Sequence, residues 1–160
     1  VKFSFKHALS MIKFTLKSGF AEKYPVTISN FKVEGMSTKG DVSLAQGGNI
    51  AWTNQAAESP AVAFTDGTWT DDATNSTPAV SDEFVVIPQD NATINVSFDV
   101  VVNGDPAVTL KSTISAQNWI PGNRYNYVAT ITPGDLDYIE FSEPEVDEWG
   151  GYTDVDADID

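Results

Sequence analysis

One histidine, four tryptophans and a run of alternating aspartates are the residues from which this 160-residue chain could build chemistry. His7 is the single imidazole, so any histidine-dependent proton transfer or zinc site must pass through it. No motif surrounds it, and its place between the apolar alternating segments VKFSF and MIKFTL points to packing. The chain has no cysteine, which removes thiolate metal sites, cysteine nucleophiles and disulfides. Neither a GxSxG nor an HExxH pattern occurs, so serine-triad and zinc-peptidase chemistry lack their usual footing. The acid pairs Asp71-Asp72 and Asp82-Glu83 fall at loop or strand edges, where solvation accounts for them. A glycosidase would need two carboxylates facing each other across a cleft. These residues support no catalytic site, no cofactor site and no metal site.

The tail TDVDADID poses a sharper choice. Read as a calcium loop from Asp154, its sixth position is Ile159 where an EF-hand needs glycine, and the sequence stops one residue later, well short of the acid required at position twelve. Read as a strand, Val155, Ala157 and Ile159 share one face, while Asp154, Asp156, Asp158 and Asp160 share the other. Such a segment is suited to extending another sheet, with its backbone supplying hydrogen bonds and alternate side chains filling pockets. A frayed, solvated tail is the plain alternative. Among the tryptophans, Trp69 in TDGTWTDD is flanked by polar turn residues and is the candidate for stacking on a sugar. Three Asn-X-Ser/Thr sequons, at Asn75, Asn91 and Asn95, are close to the number chance supplies in a chain this rich in Asn, Ser and Thr.

The elements that must position these residues are β-strands. Apolar residues alternate in VKFSF, in IKFTLK and in YPVTISNFKVEG, with phase changes at HALSM and at Ser29-Asn30 that predict bulges or tight turns. GDVSLAQGGNIAWTN predicts two short strands about Gly47-Gly48, and SDEFVVIPQ a strand stopped by Pro88. The clearest hairpin is TINVSFDVVV, NGDP, AVTLKSTIS, followed by strands in RYNYVATIT and DYIEFSE. Residues 53–80 read mostly as loop, with AVAFTDGTW the one strand candidate. No stretch carries helical periodicity. Short strands separated by Gly, Asn and Pro turns predict one antiparallel Greek-key β-sandwich over residues 1–149, with 150–160 as an acidic tail.

Charge divides the chain. Residues 1–39 hold seven lysines against Glu22 and Glu34, a balance of +5, whereas residues 40–160 hold Lys111 and Arg124 against 21 acids, a balance of −19. The net charge of −14 argues against nucleic acid and anionic membrane partners, both of which are bound through Lys and Arg. No apolar run approaches the ~18 residues of a membrane helix, so this domain is not expected to insert into a bilayer.

Two stretches are more specific than composition. FKHALSMIKFTLKSG carries Phe5, His7, Ala8 and Leu9; NWIPGNRYNYVATITPGDLDYIEFSEPEVDEWGG carries Trp119, Pro121, Gly122, Tyr125, Tyr127 and Trp149. In order and spacing they resemble the fimbrillin-like family of type V pili from Bacteroidetes, whose second half opens with F-x-H-A-L and closes with W-x-P-G-x-x-Y-x-Y and a late tryptophan. The resemblance implies a transthyretin-like sandwich and an exported, surface-displayed structural or adhesive subunit with no enzymatic activity. It also implies pilus subunits or a host or bacterial surface ligand as partners, and attachment at the outer membrane. Family members are two-domain lipoprotein precursors. The present chain resembles the second domain alone, which is expected to be monomeric in isolation. On the same resemblance, Val155, Ala157 and Ile159 form a candidate donor strand; from the aromatic residues, a secreted carbohydrate-binding module acting through Trp69 is the alternative.

Overall fold

Alternation of apolar and polar residues builds the strands, and two places where it slips shape the sheets. The computed structural model describes residues 2–3, 6–20, 25–45, 49–57, 69–71, 78–134, 139–149 and 155–156. In chain order its strands are β1 (Lys2–Phe3), β2 (Ser10–Ser18), β3 (Val26–Glu34), β4 (Lys39–Leu44), β5 (Ile50–Ala56), β6 (Trp69–Asp71) and β7 (Ala79–Val80). They continue as β8 (Phe84–Val86), β9 (Ala92–Val102), β10 (Val108–Gln117), β11 (Asn123–Ile131), β12 (Glu145–Glu148) and β13 (Val155–Asp156), and no helix occurs among the described residues.

One sheet runs β10-β9-β3-β6 and the other β12-β11-β2-β7, with β8 also paired to β2. Their inner faces meet in a single apolar core. Phe14 on β2 lies at its centre: its ring is 5.3 Å from Phe31 of the opposite sheet and 5.3 Å from Tyr127. Phe31 in turn stacks on Phe98 at 5.3 Å. Each ring of this size contributes about 1.5–3 kcal/mol by leaving water, so this aromatic column outweighs any single polar contact nearby. The chain is all-β, as its periodicity predicts.

The slip expected at Ser29-Asn30 is a bulge in the β3–β9 ladder between Ser29 and Lys32, with Asn30 left-handed at φ 52°. It turns Phe31 and Val33 back onto the face already occupied by Val26 and Ile28, and all four are buried. Asp99 braces the bulge from the outer face, accepting hydrogen bonds from Thr109 Oγ1 at 2.6 Å and Asn30 Nδ2 at 2.7 Å. Those donors, with Lys32 nearby, hold its carboxyl below the usual range. The stabilisation this carboxylate adds is therefore present at neutral pH and is lost as acid protonates it.

Three expectations need amendment. The antiparallel reading holds for every ladder but one: β2 and β11 run parallel, from Arg124 opposite Met11 to Ile131 opposite Ser18. DYIEFSE is not a continuous strand. Ile139 donates its N–H to Lys111 O of the first sheet, whereas Phe141 bridges Ala129 of the second. A segment that crosses between two sheets cannot run a ladder along either. The strand comes later, in the acidic residues of β12, held by pairing with β11. Third, the hairpin β4–β5 forms as expected but joins neither sheet. It is tied down by Trp52 Nε1 donating to Ala8 O (2.8 Å) and Gln55 Nε2 donating to Pro88 O (2.9 Å).

A second bulge, in β10 between Ile114 and Gln117, puts Ala116 at φ 55°. A left-handed alanine costs about 1–2 kcal/mol, and glycine gives back part of that gain through its freer unfolded chain. Ala116→Gly should stabilise the fold by roughly 0.5–1 kcal/mol, a rise in Tm of about 2–3 °C for a chain this long. A lowered Tm would show that the bulge needs the methyl group.

Candidate functional site

The motif residues converge at one end of the sandwich. Residues Ile120 to Asn123 form a tight turn, closed by Asn123 N–H donating to Ile120 O at 3.1 Å. Gly122 within it has φ +83°, which the Pro-Gly pair suits. Gly122 also joins three segments: its N–H donates to Leu9 O (2.9 Å), and its carbonyl accepts from Trp149 N–H (2.6 Å). His7 lies against Trp149 with ring centroids 4.3 Å apart and 9° between the planes. Ser10 Oγ donates to Ile120 O at 2.7 Å, and Tyr125 OH accepts from Ile120 N–H at 2.8 Å.

Behind the turn, Trp119 is buried and its Nε1 donates to Tyr127 OH at 2.8 Å; that hydroxyl donates onward to Gln117 Oε1 at 3.0 Å. Burial pushes the Tyr127 phenol well above its ordinary range, so it stays protonated and keeps both bonds. Trp119 N–H completes the arrangement by donating to Gln89 O at 2.8 Å. Trp119, Tyr125 and Tyr127 are buried and hydrogen-bonded, and His7 and Trp149 stack on each other. The arrangement binds chain to chain.

Two carboxylates near this turn are likewise occupied. Glu83 forms an ion pair with Arg124, and Glu145 Oε2 accepts from Asn126 Nδ2 at 2.9 Å. Both line a shallow groove of about 200 Å³ on the outer face of the second sheet, beside Lys13 and Asp147. Asp71 pairs opposite Val26 through its backbone, and Asp72 lies outside the described residues. Among the described residues, no three His, Cys, Asp or Glu side chains come together as a metal site.

The sheet edges are a different kind of site. Along one side of the sandwich, β10 borders the first sheet, while β11, β12 and residues 139–143 border the second. Among the described residues, Ile139 alone bonds to the outer edge of β10, and its side chain is buried. On one side of Ile139, a polar cleft of about 260 Å³ lies between Ser112–Gln117 and residues 140–143. On the other, an apolar cavity of about 430 Å³ is lined by Phe20, Val102, Val108, Leu110 and Ile131. The β12 edge is short and carries Glu145, Asp147 and Glu148, all exposed.

The candidate residues named from sequence fall unevenly on this frame. Trp69 opens β6, an edge strand, with its backbone opposite Ile28. Its side chain lies outside what is described. Val155 sits in β13 opposite Phe3 of β1. Ala157 and Ile159 lie outside the described residues. The seam beside β10 went unnamed in the sequence reading, because a cleft between sheets is made by strand order, which periodicity does not specify.

Residues 1–149 match the family described as fimbrillin-like. The chain belongs to that family. Its fold resembles that of a candidate cell adhesion protein from Bacteroides fragilis, with a TM-score of 0.58 at 16% identity over 97% of this chain and 48% of that one. A candidate cell adhesion protein from Bacteroides uniformis gives 0.48 at 18% identity, covering 91% of this chain and 52% of the other. A fimbrial protein from Bacteroides vulgatus gives 0.46 at 15%, covering 91% and 55%. This fimbrillin-like chain thus spans about half the length of these solved proteins. No curated protein matches it.

In this fimbrillin-like chain the Trp119–Tyr127–Gln117 relay is a testable pin. Tyr127→Phe leaves the buried indole N–H without its acceptor and should cost about 1–3 kcal/mol in denaturant unfolding, with an unchanged m-value. A cost near zero would mean that the indole finds another acceptor.

Proposed function

We propose that this chain is a structural or adhesive subunit of a cell-surface fimbria, assembling with other subunits by strand addition. The match to the fimbrillin-like family over residues 1–149 is the observation that carries this reading. The likeness of fold to the Bacteroides fragilis candidate adhesion protein is consistent with it. On this reading the chain is the C-terminal domain of a longer two-domain precursor, displayed outside the cell at the outer membrane, and it catalyses nothing. Its partners are neighbouring pilus subunits or a surface ligand.

The distribution of open edges supports strand addition. An added strand needs unpaired backbone along a sheet edge and pockets for alternate side chains. The outer edge of β10, with the apolar cavity near Val108 and Leu110, offers both. The β12 edge offers backbone but presents carboxylates, the usual means of keeping strands away. The donor is the tail, with Val155, Ala157 and Ile159 as its pocket-filling face.

A peptide of residues 150–160 should then compete with assembly of the complete protein, followed by sedimentation or by cross-linked ladders. Moving charge onto the apolar face, in Val155→Asp with Ile159→Asp, should weaken that competition by roughly tenfold or more, because each buried unpaired carboxylate costs at least 1–3 kcal/mol. Assembly indifferent to both peptides would remove the tail as donor.

A carbohydrate-binding role has one observation in its favour: Trp69 stands on an edge strand in a polar stretch. Selective binding on a glycan array that disappears in Trp69→Ala would establish it. The fimbrial reading expects no such loss.

A further inference from the structure

The outer face of the first sheet carries side-chain chemistry that the motif residues do not use. On β10 the buried Leu110 and Ser112 alternate with Thr109, Lys111 and Thr113, which turn outward and are exposed. Register sets Lys111 opposite Ser97 of β9, and Ser97 opposite Lys32 of β3 on its other side. A row of Lys32, Ser97 and Lys111 therefore crosses three strands, with both lysines exposed. Neighbouring strands lie about 4.8 Å apart, so the two lysine Cα atoms stand about 10 Å from each other. Residues 40–160 contain two cations, Arg124 and Lys111. Arg124 is paired with Glu83, and Lys111 is placed on this row.

The rows on either side are already bonded. Asp99 accepts from Thr109 and Asn30, which engages both of its carboxylate oxygens. Thr113 Oγ1 donates to Asn95 Oδ1 at 3.0 Å, which uses the amide oxygen and leaves Nδ2 to donate. Among the described residues, the Lys32 and Lys111 ammonium groups and the Ser97 hydroxyl have no hydrogen-bond or salt-bridge partner. Every group left open here can donate. Glu34, exposed and opposite Asn95, is the acid next to Lys32 on this face. It makes the Lys111 end, flanked by Thr109 and Thr113, the stronger place for an anion.

The surroundings of the row select among anions. Protein interfaces centre on apolar and aromatic side chains and are poor in lysine. None of the large apolar side chains exposed on the described surface stands on this face; Val108 of β10 turns instead to the cavity between the sheets. Duplex DNA presents a charge about every 1.7 Å and asks for a dense basic surface, which a chain of net charge −14 does not offer. A hydrated sugar chain with separated acid groups asks for less: a flat face, hydroxyls and amides, and isolated cations.

We propose that the row of Lys32, Ser97 and Lys111 is a binding face for an acidic glycan. The ammonium groups hold its carboxylate or sulfate groups, and Ser97 with Asn95 bonds its hydroxyls. Attraction is local, reaching about one Debye length of ~10 Å at 0.1 M salt, because the rest of the chain repels the same ligand. The proposal gives a chemical class to the surface ligand of the adhesive reading above and rests on that reading for its setting, whereas the binding itself does not depend on fimbrial assembly.

Retention of this chain on immobilised polygalacturonate, which carries carboxylates, and on dextran sulfate tests the face, with neutral dextran as the reference. Retention on at least one charged polymer and not on dextran is expected, and the polymer that retains it names the acid group. Lys32→Gln with Lys111→Gln should weaken retention by about fivefold or more, the loss of two exposed ion pairs. Lys32→Arg with Lys111→Arg should keep it. Lys13→Gln with Lys17→Gln removes the same charge from the outer face of the second sheet and should change nothing. Equal loss in that control, equal retention on dextran, or no retention on either charged polymer would overturn the proposal. Self-association that needs Lys32 and Lys111, seen by sedimentation in place of retention, would also overturn it and make the face a contact between copies. Normal assembly of the complete protein without retention would remove the glycan face alone; retention by a complete protein that never assembles would keep the face and remove the fimbrial reading.

Discussion

The parallel ladder between β2 and β11 is the constraint on which the rest of the molecule depends. It pairs Met11 with Arg124 at one end and Ser18 with Ile131 at the other, so the strands of the first sheet all lie between its two partners in the chain. Both ends of the ladder are sealed by backbone bonds, Gly122 N–H to Leu9 O below and Gly19 N–H to Ile131 O above. Its inner row, Ile12, Phe14 and Leu16 beside Tyr125, Tyr127 and Ala129, is buried in the core. Pairing across so long a separation is entropically expensive and slow to form. That expense explains why the two most distinctive stretches of sequence lie at its two strands. The Pro-Gly turn, the buried Trp119 and the tyrosine hydroxyls all act to set where β11 begins, and hence its register on β2.

Much of this was legible before any coordinates. Alternation located β2, β3, β9, β10 and β11, and the change of phase at Ser29-Asn30 located a bulge, because those features are written in which face each residue takes. Partners are a different matter. A parallel and an antiparallel neighbour make the same demand on a buried strand, so the orientation of β2 against β11 left no mark in its residues. β12 was invisible for the opposite reason: Glu145, Val146, Asp147 and Glu148 carry no apolar periodicity, and their strand is imposed by the edge of β11. Packing was the expected role for His7, and the ring it packs on lies 142 residues away, beyond reach of any local pattern. Of the candidate site residues, Trp69 and Val155 could be placed on strands; the seam beside β10 emerged only from topology.

The motif side chains Trp119, Tyr125 and Tyr127 help hold the fold together. Beyond them the sheets end in backbone edges, which are hazardous in solution. Three borders of the sandwich are managed by different means. The β12 edge is short and acidic. The β2 edge is covered by two brief strands, β7 and β8. The β10 edge is capped at Lys111 by residue Ile139, whose side chain plugs the core where the two sheets would otherwise gape.

That third solution differs from the others in consequence. Charge discourages addition, whereas among the described residues the outer edge of β10 is bonded at Lys111 alone, with an apolar cavity beyond one end. On the strand-addition proposal, an edge treated this way is where a neighbouring subunit's strand would add. Selectivity then comes from the pockets, since any strand can offer hydrogen bonds but few carry small and branched apolar residues at every second position. On the strand-addition proposal, the alternation of Val155, Ala157 and Ile159 with aspartates in the sequence is what would meet that demand. The net charge of −14 would then add a general repulsion between copies that a specific fit has to overcome.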